Sequence, residues 1–174
     1  MVIGLVCATA FALPAGARTA VSAQPAASLP GSSFEIDADA NLRPDAAGLA
    51  DWATVAEVRR ADSPSGAGDE SFGQGTKEDT PVPTVVNGSI PPNKSDLKFF
   101  GLYREGATAE GFLNLFWSRV QDPSGTTNMD FELNQSRVRS GNGVTSVRTA
   151  GDLLITYDLS RGGTLPTLSL REWT

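Results

Sequence analysis

The chain has 174 residues, enough for one domain with a substantial core. Its net charge of −6 sets it against phosphate backbones and anionic lipid surfaces, so nucleic acid is excluded as a natural partner. It has no histidine and a single cysteine, Cys7, which excludes His-dependent catalysis, His-ligated zinc and internal disulfides.

Met1–Leu13 is an apolar run, and Val21-Ser22-Ala23 supplies a small-x-small site before Gln24. That is the pattern of a secretory signal peptide over residues 1–23, and its apolar run of about 13 residues is too short to cross a bilayer. The basic leader region is missing, as expected if the true start lies upstream. Cleavage removes Cys7 and Arg18. The mature chain is then cysteine-free, with no membrane insertion expected, and must be held by packing, with bound metal as an added support. Residues 24–33 (QPAASLPGSS) read as a flexible spacer.

Phe34–Asp37 alternates apolar and acidic residues and reads as a first strand. Ala46–Arg60 fits either one helical turn or a loop followed by a short strand, with Trp52 and Val55 facing inward. Residues 61–96 are rich in Gly, Pro, Ser, Asp and Thr and read as one long irregular loop, packed in places through Phe72, Val85, Val86 and Ile90. Leu97–Glu105 and Gly111–Val120 carry dense aromatic and aliphatic strand signals. Thr127–Asn134 alternates, with Met129, Phe131 and Leu133 on one face and Asn128, Asp130, Glu132 and Asn134 on the other. Asp122-Pro-Ser-Gly125 has the chemistry of a turn, so the spacing predicts a hairpin between these last two strands. Asp152–Ser160 and Thr164–Trp173 form a final pair joined through Arg161-Gly162-Gly163. Short strands separated by Gly/Pro turns predict an all-β fold. The expected type is an antiparallel β-sandwich, jelly-roll or lectin-like, forming a single domain over 34–174. The abrupt stop after a strand fits either a C-terminally truncated fragment or an edge strand that happens to be last.

Several segments together carry a resemblance. In order they are FEIDADANL with the Trp of ADW at 50–52, SFGQGTKED, GSIPPNKSDL, GFLNLFWSRV, TNMDFELN, and AGDLLITYDLSRGG with the closing REW. Their order resembles a family of secreted bacterial β-sandwich domains that often precede prealbumin-like or immunoglobulin-like repeats and a cell-wall anchor. The resemblance spans nearly all of the mature chain and rests on the order of the segments. It implies a bacterial cell-surface location. It supplies no established activity and no binding residues, and the repeats and anchor are not present in this sequence.

The acids offer three chemistries. Glu35, Asp37 and Asp39 at i, i+2 and i+4 would share one strand face, as in the Glu-Ile-Asp-x-Glu motif of retaining β-glucanases, which the stretch resembles. Asp39 stands where that motif needs its longer acid. Asp37, Asp39, Asn41 and Asp45 follow EF-hand spacing, but Leu42 and Gly48 occupy positions requiring Gly and Glu. A structural calcium ion of another geometry is the cofactor these acids suit, with Asp37, Asp39, Asp45, Asp69, Asp79 and Asp96 as candidate ligands. Asp130 and Glu132 share the polar face of their strand and are expected either to pair with Arg104 and Arg119 across the sheet or to line a ligand site. Trp52 and Tyr103 are candidate ligand-stacking aromatics. Trp117, on the face of Leu113 and Leu115, is expected to be core.

The expected function is a non-enzymatic, secreted cell-surface module, structural or recognising a glycan or protein. A glycan hydrolase using the Glu35/Asp37/Asp39 face and a ligand-free stalk are the alternatives.

Overall fold

The computed structural model describes residues 2–3, 27–36, 41–63, 66, 68–73, 78–88, 90–106, 110–122 and 124–174. The expected signal segment therefore lies outside the described residues apart from Val2 and Ile3. The strands in chain order are β1 (Val2–Ile3), β2 (Ala27–Ser28), β3 (Glu35–Ile36), β4 (Val58–Ala61), β5 (Glu70–Phe72), β6 (Val85–Asn87), β7 (Leu97–Glu105), β8 (Phe112–Arg119), β9 (Thr127–Leu133), β10 (Leu153–Ser160) and β11 (Leu165–Glu172). One 3-10 turn, Arg161–Gly163, is the sole helical element among the described residues. The chain is all-β. Among the described strands the pairings are antiparallel except for β1 with β8. No described helix is long and apolar enough to cross a membrane.

The chain divides into two compact units, Met1–Asp62 with Lys98–Ser118, and Ser63–Leu97 with Arg119–Thr174. The first holds a four-stranded sheet of order β1-β8-β7-β4 and the short β2–β3 ladder. Its core is aromatic. Phe34 and Trp52 meet edge to face at 4.8 Å, Trp52 lies 4.4 Å from Phe116, and Phe34 lies 5.7 Å from Tyr103. Leu115 and Phe112 are buried beside them. Phe116 packs so closely over β7 that a Cβ at Gly101 would come within 2.6 Å of its ring and 2.5 Å of the Val58 carbonyl, so only glycine fits there. The guanidinium of Arg59 lies 4.8 Å from the centre of the Phe99 ring.

The segment read as a flexible spacer is held from Ala27 onward. It forms β2 and a turn whose Ser33 N–H and hydroxyl both donate to Glu105 at 2.6 Å, with the Ser32 hydroxyl donating to the other carboxylate oxygen. Burial favours the protonated form of Glu105, but these donors outweigh it and hold the carboxyl below its usual range.

The second unit is built on the antiparallel sheet β11-β10-β9. Met129 is buried on one face with Ile155, Tyr157 and Leu159. The Arg161–Gly163 turn reverses the chain between β10 and β11, and a Cβ at Gly163 would sit 2.7 Å from the Gly125 carbonyl. The long segment 61–96 is not irregular throughout. β5 and β6 pair antiparallel, with Glu70 opposite Asn87 and Phe72 opposite Val85. Phe72 and Val86 are exposed rather than packed.

The expected hairpin between Gly111–Val120 and Thr127–Asn134 does not form. β8 lies between β1 and β7, whereas β9 pairs with β10 from Thr127↔Leu159 to Leu133↔Leu153. A turn motif permits a hairpin but does not choose partners. β10 offers β9 seven matched positions that place Met129 and Phe131 beside Tyr157 and Ile155.

Candidate binding site

β9 alternates with period two, so its polar positions project from the sheet face opposite Met129. Register extends that polar face across the sheet. Asn128, Asp158 and Thr167 make one row; Asp130, Thr156 and Ser169 the next; Glu132, Leu154 and Arg171 the third. Asn128 donates to Asp158 at 2.6 Å, and the Thr156 hydroxyl to the same carboxylate at 3.3 Å.

Arg148 organises one end. Its Nε and Nη2 donate to Glu132 at 2.8 and 2.9 Å, a bidentate pair. Its Nη1 donates to the carbonyls of Glu78 and Thr80. Its guanidinium lies 5.4 Å from the Trp173 ring centre. Arg171 pairs with the Glu78 carboxylate. Burial opposes ionisation of Glu132, but the Arg148 and Asn134 donors hold its carboxyl below the usual range, and Glu132 in turn raises the pKa of Arg148.

The position of Arg148 follows from the loop 134–152, which closes on Asp152. That carboxylate is only 3 % exposed and accepts from the backbone N–H groups of Gln135 and Thr149 at 2.9 and 2.8 Å. It also accepts from the Asn134, Gln135 and Thr149 side chains. Burial would raise its pKa, and the donors override it and hold it far below the ordinary range. Asn142 folds the loop tip by accepting from the N–H groups of Val144 and Thr145 and donating to the Pro83 carbonyl.

A cavity of about 260 Å³ lies at the Glu132–Arg148–Trp173 end. It shares walls with a broader groove of about 1130 Å³ that runs past Asp130 and Asn128 to Phe72, Val85 and Ile90. Such dimensions suit a small molecule or a few units of a polymer. Five described carboxylates line the groove (Glu70, Glu78, Asp79, Asp130, Glu132) against two guanidinium groups, Arg148 and Arg171. Asp130 is exposed, yet the protein crowding its carboxyl and the negative charges of Glu78, Asp158 and Glu132 outweigh Arg171 and push its pKa up to about 6.

The structure brings together Asp130, Glu132 and Asp79 of the sequence candidates. The expected partners Arg104 and Arg119 are replaced by Arg148 and Arg171, because β8 does not flank β9. Arg119 instead directs its Nε at the Met129 sulfur, 3.1 Å away. Trp52 is 7 % exposed inside the aromatic core, so it offers no free stacking face, and Tyr103 packs against Phe34. Trp117 is half-buried, short of the full burial expected for it. Glu35 is 1 % exposed on a two-residue strand and is not presented to a polymeric substrate; Asp37 and Asp39 lie outside the described residues. Asp45 is exposed in a turn, while Asp69 and Asp96 are buried. Among the described residues, no three His, Cys, Asp or Glu side chains are close enough together to hold a metal ion. Sequence reasoning missed Arg148, Arg171 and Glu78. Alternation along β11 was available as a signal for Arg171, but nothing local marks Arg148.

Fold and groove define the class: an all-β protein with an acidic groove bridged by arginines on one sheet face. Comparison with protein-family models, curated proteins and solved structures finds no match for this chain.

Proposed function

We propose that the chain is a non-enzymatic recognition module of a secreted, cell-surface protein, and that it contacts an extracellular glycan through the groove on β9, β10 and β11. The observation that supports this reading is the Glu132–Arg148 bidentate pair at the mouth of the smaller cavity, locked by the Glu78 and Thr80 carbonyls and set over Trp173. Four of the five Arg148 N–H groups are spent on Glu132 and the two carbonyls, which leaves one Nη2 N–H and the lone pairs of Glu132 to meet a ligand. Vicinal hydroxyls match such pairs, and the nearby indole offers an apolar surface to a sugar ring. The surplus of carboxylates selects neutral or amino sugars over anionic ones. Jelly-roll or lectin-like connectivity and a bacterial surface location belong to the same proposal, resting on the ordered segments of the sequence.

A hydrolase reading of the groove rests on one observation, the raised Asp130, since a carboxyl titrating near 6 is suited to act as a general acid. The carboxylates whose charge acts on it are already engaged: Glu132 and Glu78 by arginine, and Asp158 by the Asn128 amide and the Thr156 hydroxyl. Non-enzymatic recognition is therefore the better supported of the two.

A glycan array followed by calorimetric titration tests the proposal. Neutral or amino-sugar glycans are expected to bind, and Arg148→Lys, which cannot reproduce the bidentate pair, is expected to weaken binding about tenfold. No array signal overturns the glycan assignment. Turnover of a bound glycan that disappears in Asp130→Asn overturns the non-enzymatic one.

A further inference from the structure

We infer that Glu35 and Asp51, in the first unit, form a calcium site beneath the loop 41–51. The site is separate from the proposed recognition groove and does not depend on it. Phe34 makes an isolated parallel bridge with Ala50. Glu35 N–H donates to the Ala50 carbonyl and Ala50 N–H to the Ser33 carbonyl, both at 2.8 Å. Successive residues of an extended pair point to opposite faces. The bridge therefore sends Phe34 to the aromatic core and carries Glu35 and Asp51 together to the other face.

Both carboxylates are enclosed, Glu35 at 1 % and Asp51 at 2 % exposure. Glu35 Oε2 accepts from the Asp45 N–H at 2.8 Å, which ties the loop down onto it. Glu35 Oε1 is equally buried and has no hydrogen-bond partner among the described residues, and none of the ion pairs among them involves Glu35. A buried carboxylate oxygen with nothing to bind is costly, and a second buried carboxylate on the same face adds repulsion. A hard cation removes both costs together. The donors here are all oxygen, which excludes the softer metals. Calcium tolerates an irregular shell completed by carbonyls and water, whereas magnesium demands a near-ideal octahedron. Neither Glu35 nor Asp51 is among the acids that the sequence suggested for calcium, because one is a strand position and the other a turn position.

The full chain, stripped with EDTA, is titrated with terbium as a luminescent stand-in for calcium. Trp52 follows Asp51, and its backbone N–H donates to Asp51 Oδ1 at 2.6 Å, so excitation of this indole should sensitise an ion held there. Saturable terbium emission that calcium displaces is expected. A calcium concentration of about 10 mM should raise Tm by about 5 °C, as for the weak sites of extracellular modules. Glu35→Gln should abolish both signals, and Asp122→Asn, at an exposed turn, should keep both. Absence of both signals in the wild-type chain overturns the inference. Emission that survives in Glu35→Gln overturns the assignment to these residues. Should Glu35→Gln not fold, Asp51→Asn serves in its place, read against the same two outcomes. Retention of the calcium shift in Asp130→Asn separates the site from the groove.

Discussion

Two buried carboxylates, one in each unit, show how differently the fold can treat the same chemical group. Asp152 closes the loop 134–152 and is surrounded by donors: two backbone N–H groups and three side chains. Glu35 is as deeply enclosed, yet one of its oxygens meets the Asp45 N–H and the other meets no donor among the described residues. The first is a complete network in which charge is an asset, because every donor turned inward strengthens at low dielectric. The second is an incomplete one, in which the same low dielectric makes the charge a liability unless something else arrives. Burial alone therefore does not say whether an acid is structural. The donor count around it does.

Substitutions at these positions sharpen the contrast. The largest effect is expected at Asp152. Asp152→Asn turns an amide NH2 toward donors that need an acceptor, and should cost about 3 kcal/mol in urea unfolding. The depressed pKa of Asp152 also has a signature in pH. The folded state prefers the ionised form, so this stabilisation is complete above the unfolded value, near 4, and is lost as pH falls below it. Asp152→Asn should flatten the acid limb of the stability curve; an unchanged limb would show that other groups govern it.

A smaller effect, of opposite sign, is expected in the groove. Asp130 is raised to about 6, so folding favours its protonated form. No penalty exists below about pH 4; it grows as pH rises from about 4 to 6 and is constant above. Asp130→Asn removes it and should stabilise the protein at pH 7 by about 1 kcal/mol, a figure reduced for the solvent that screens this exposed group. Equal stability of variant and wild type across that window would remove Asp130 as the crowded carboxyl.

The smallest change is expected at Glu35. In EDTA, Glu35→Gln should stabilise the protein only slightly, by less than about 1 kcal/mol, because relief of the unmet charge is offset by the cost of burying a polar amide in its place. A loss comparable to that of Asp152→Asn would break the comparison and show that Glu35 is as well satisfied as Asp152.

Much of the strand pattern is legible in the sequence because it is a local property. The alternation in TNMDFELN sorts Asp130 and Glu132 from Met129 and Phe131 before any partner is known. Leu97–Glu105 is read to its residue limits, and β10 and β11 to within one residue at either end. The groove is half legible for the same reason. Asp130 and Glu132 lie on a strand with a clear period, whereas Arg148 reaches Glu132 from an aperiodic loop whose path depends on Asp152 and Asn142 collecting backbone donors. The Asp122–Gly125 turn misleads because turn chemistry is satisfied by four residues, while strand pairing is settled by seven opposed positions on β10.

The sequence by itself determined that the protein is all-β, that disulfide and histidine chemistry are closed to it, and which face of β9 is polar. These follow from residue counts and from the two-residue period of an extended chain. Only the tertiary structure decided which strands pair, which arginine meets Glu132, and that Glu35 is buried instead of facing a substrate. Those are non-local choices, set by which long-range pairings satisfy the most apolar surface and the most backbone hydrogen bonds together.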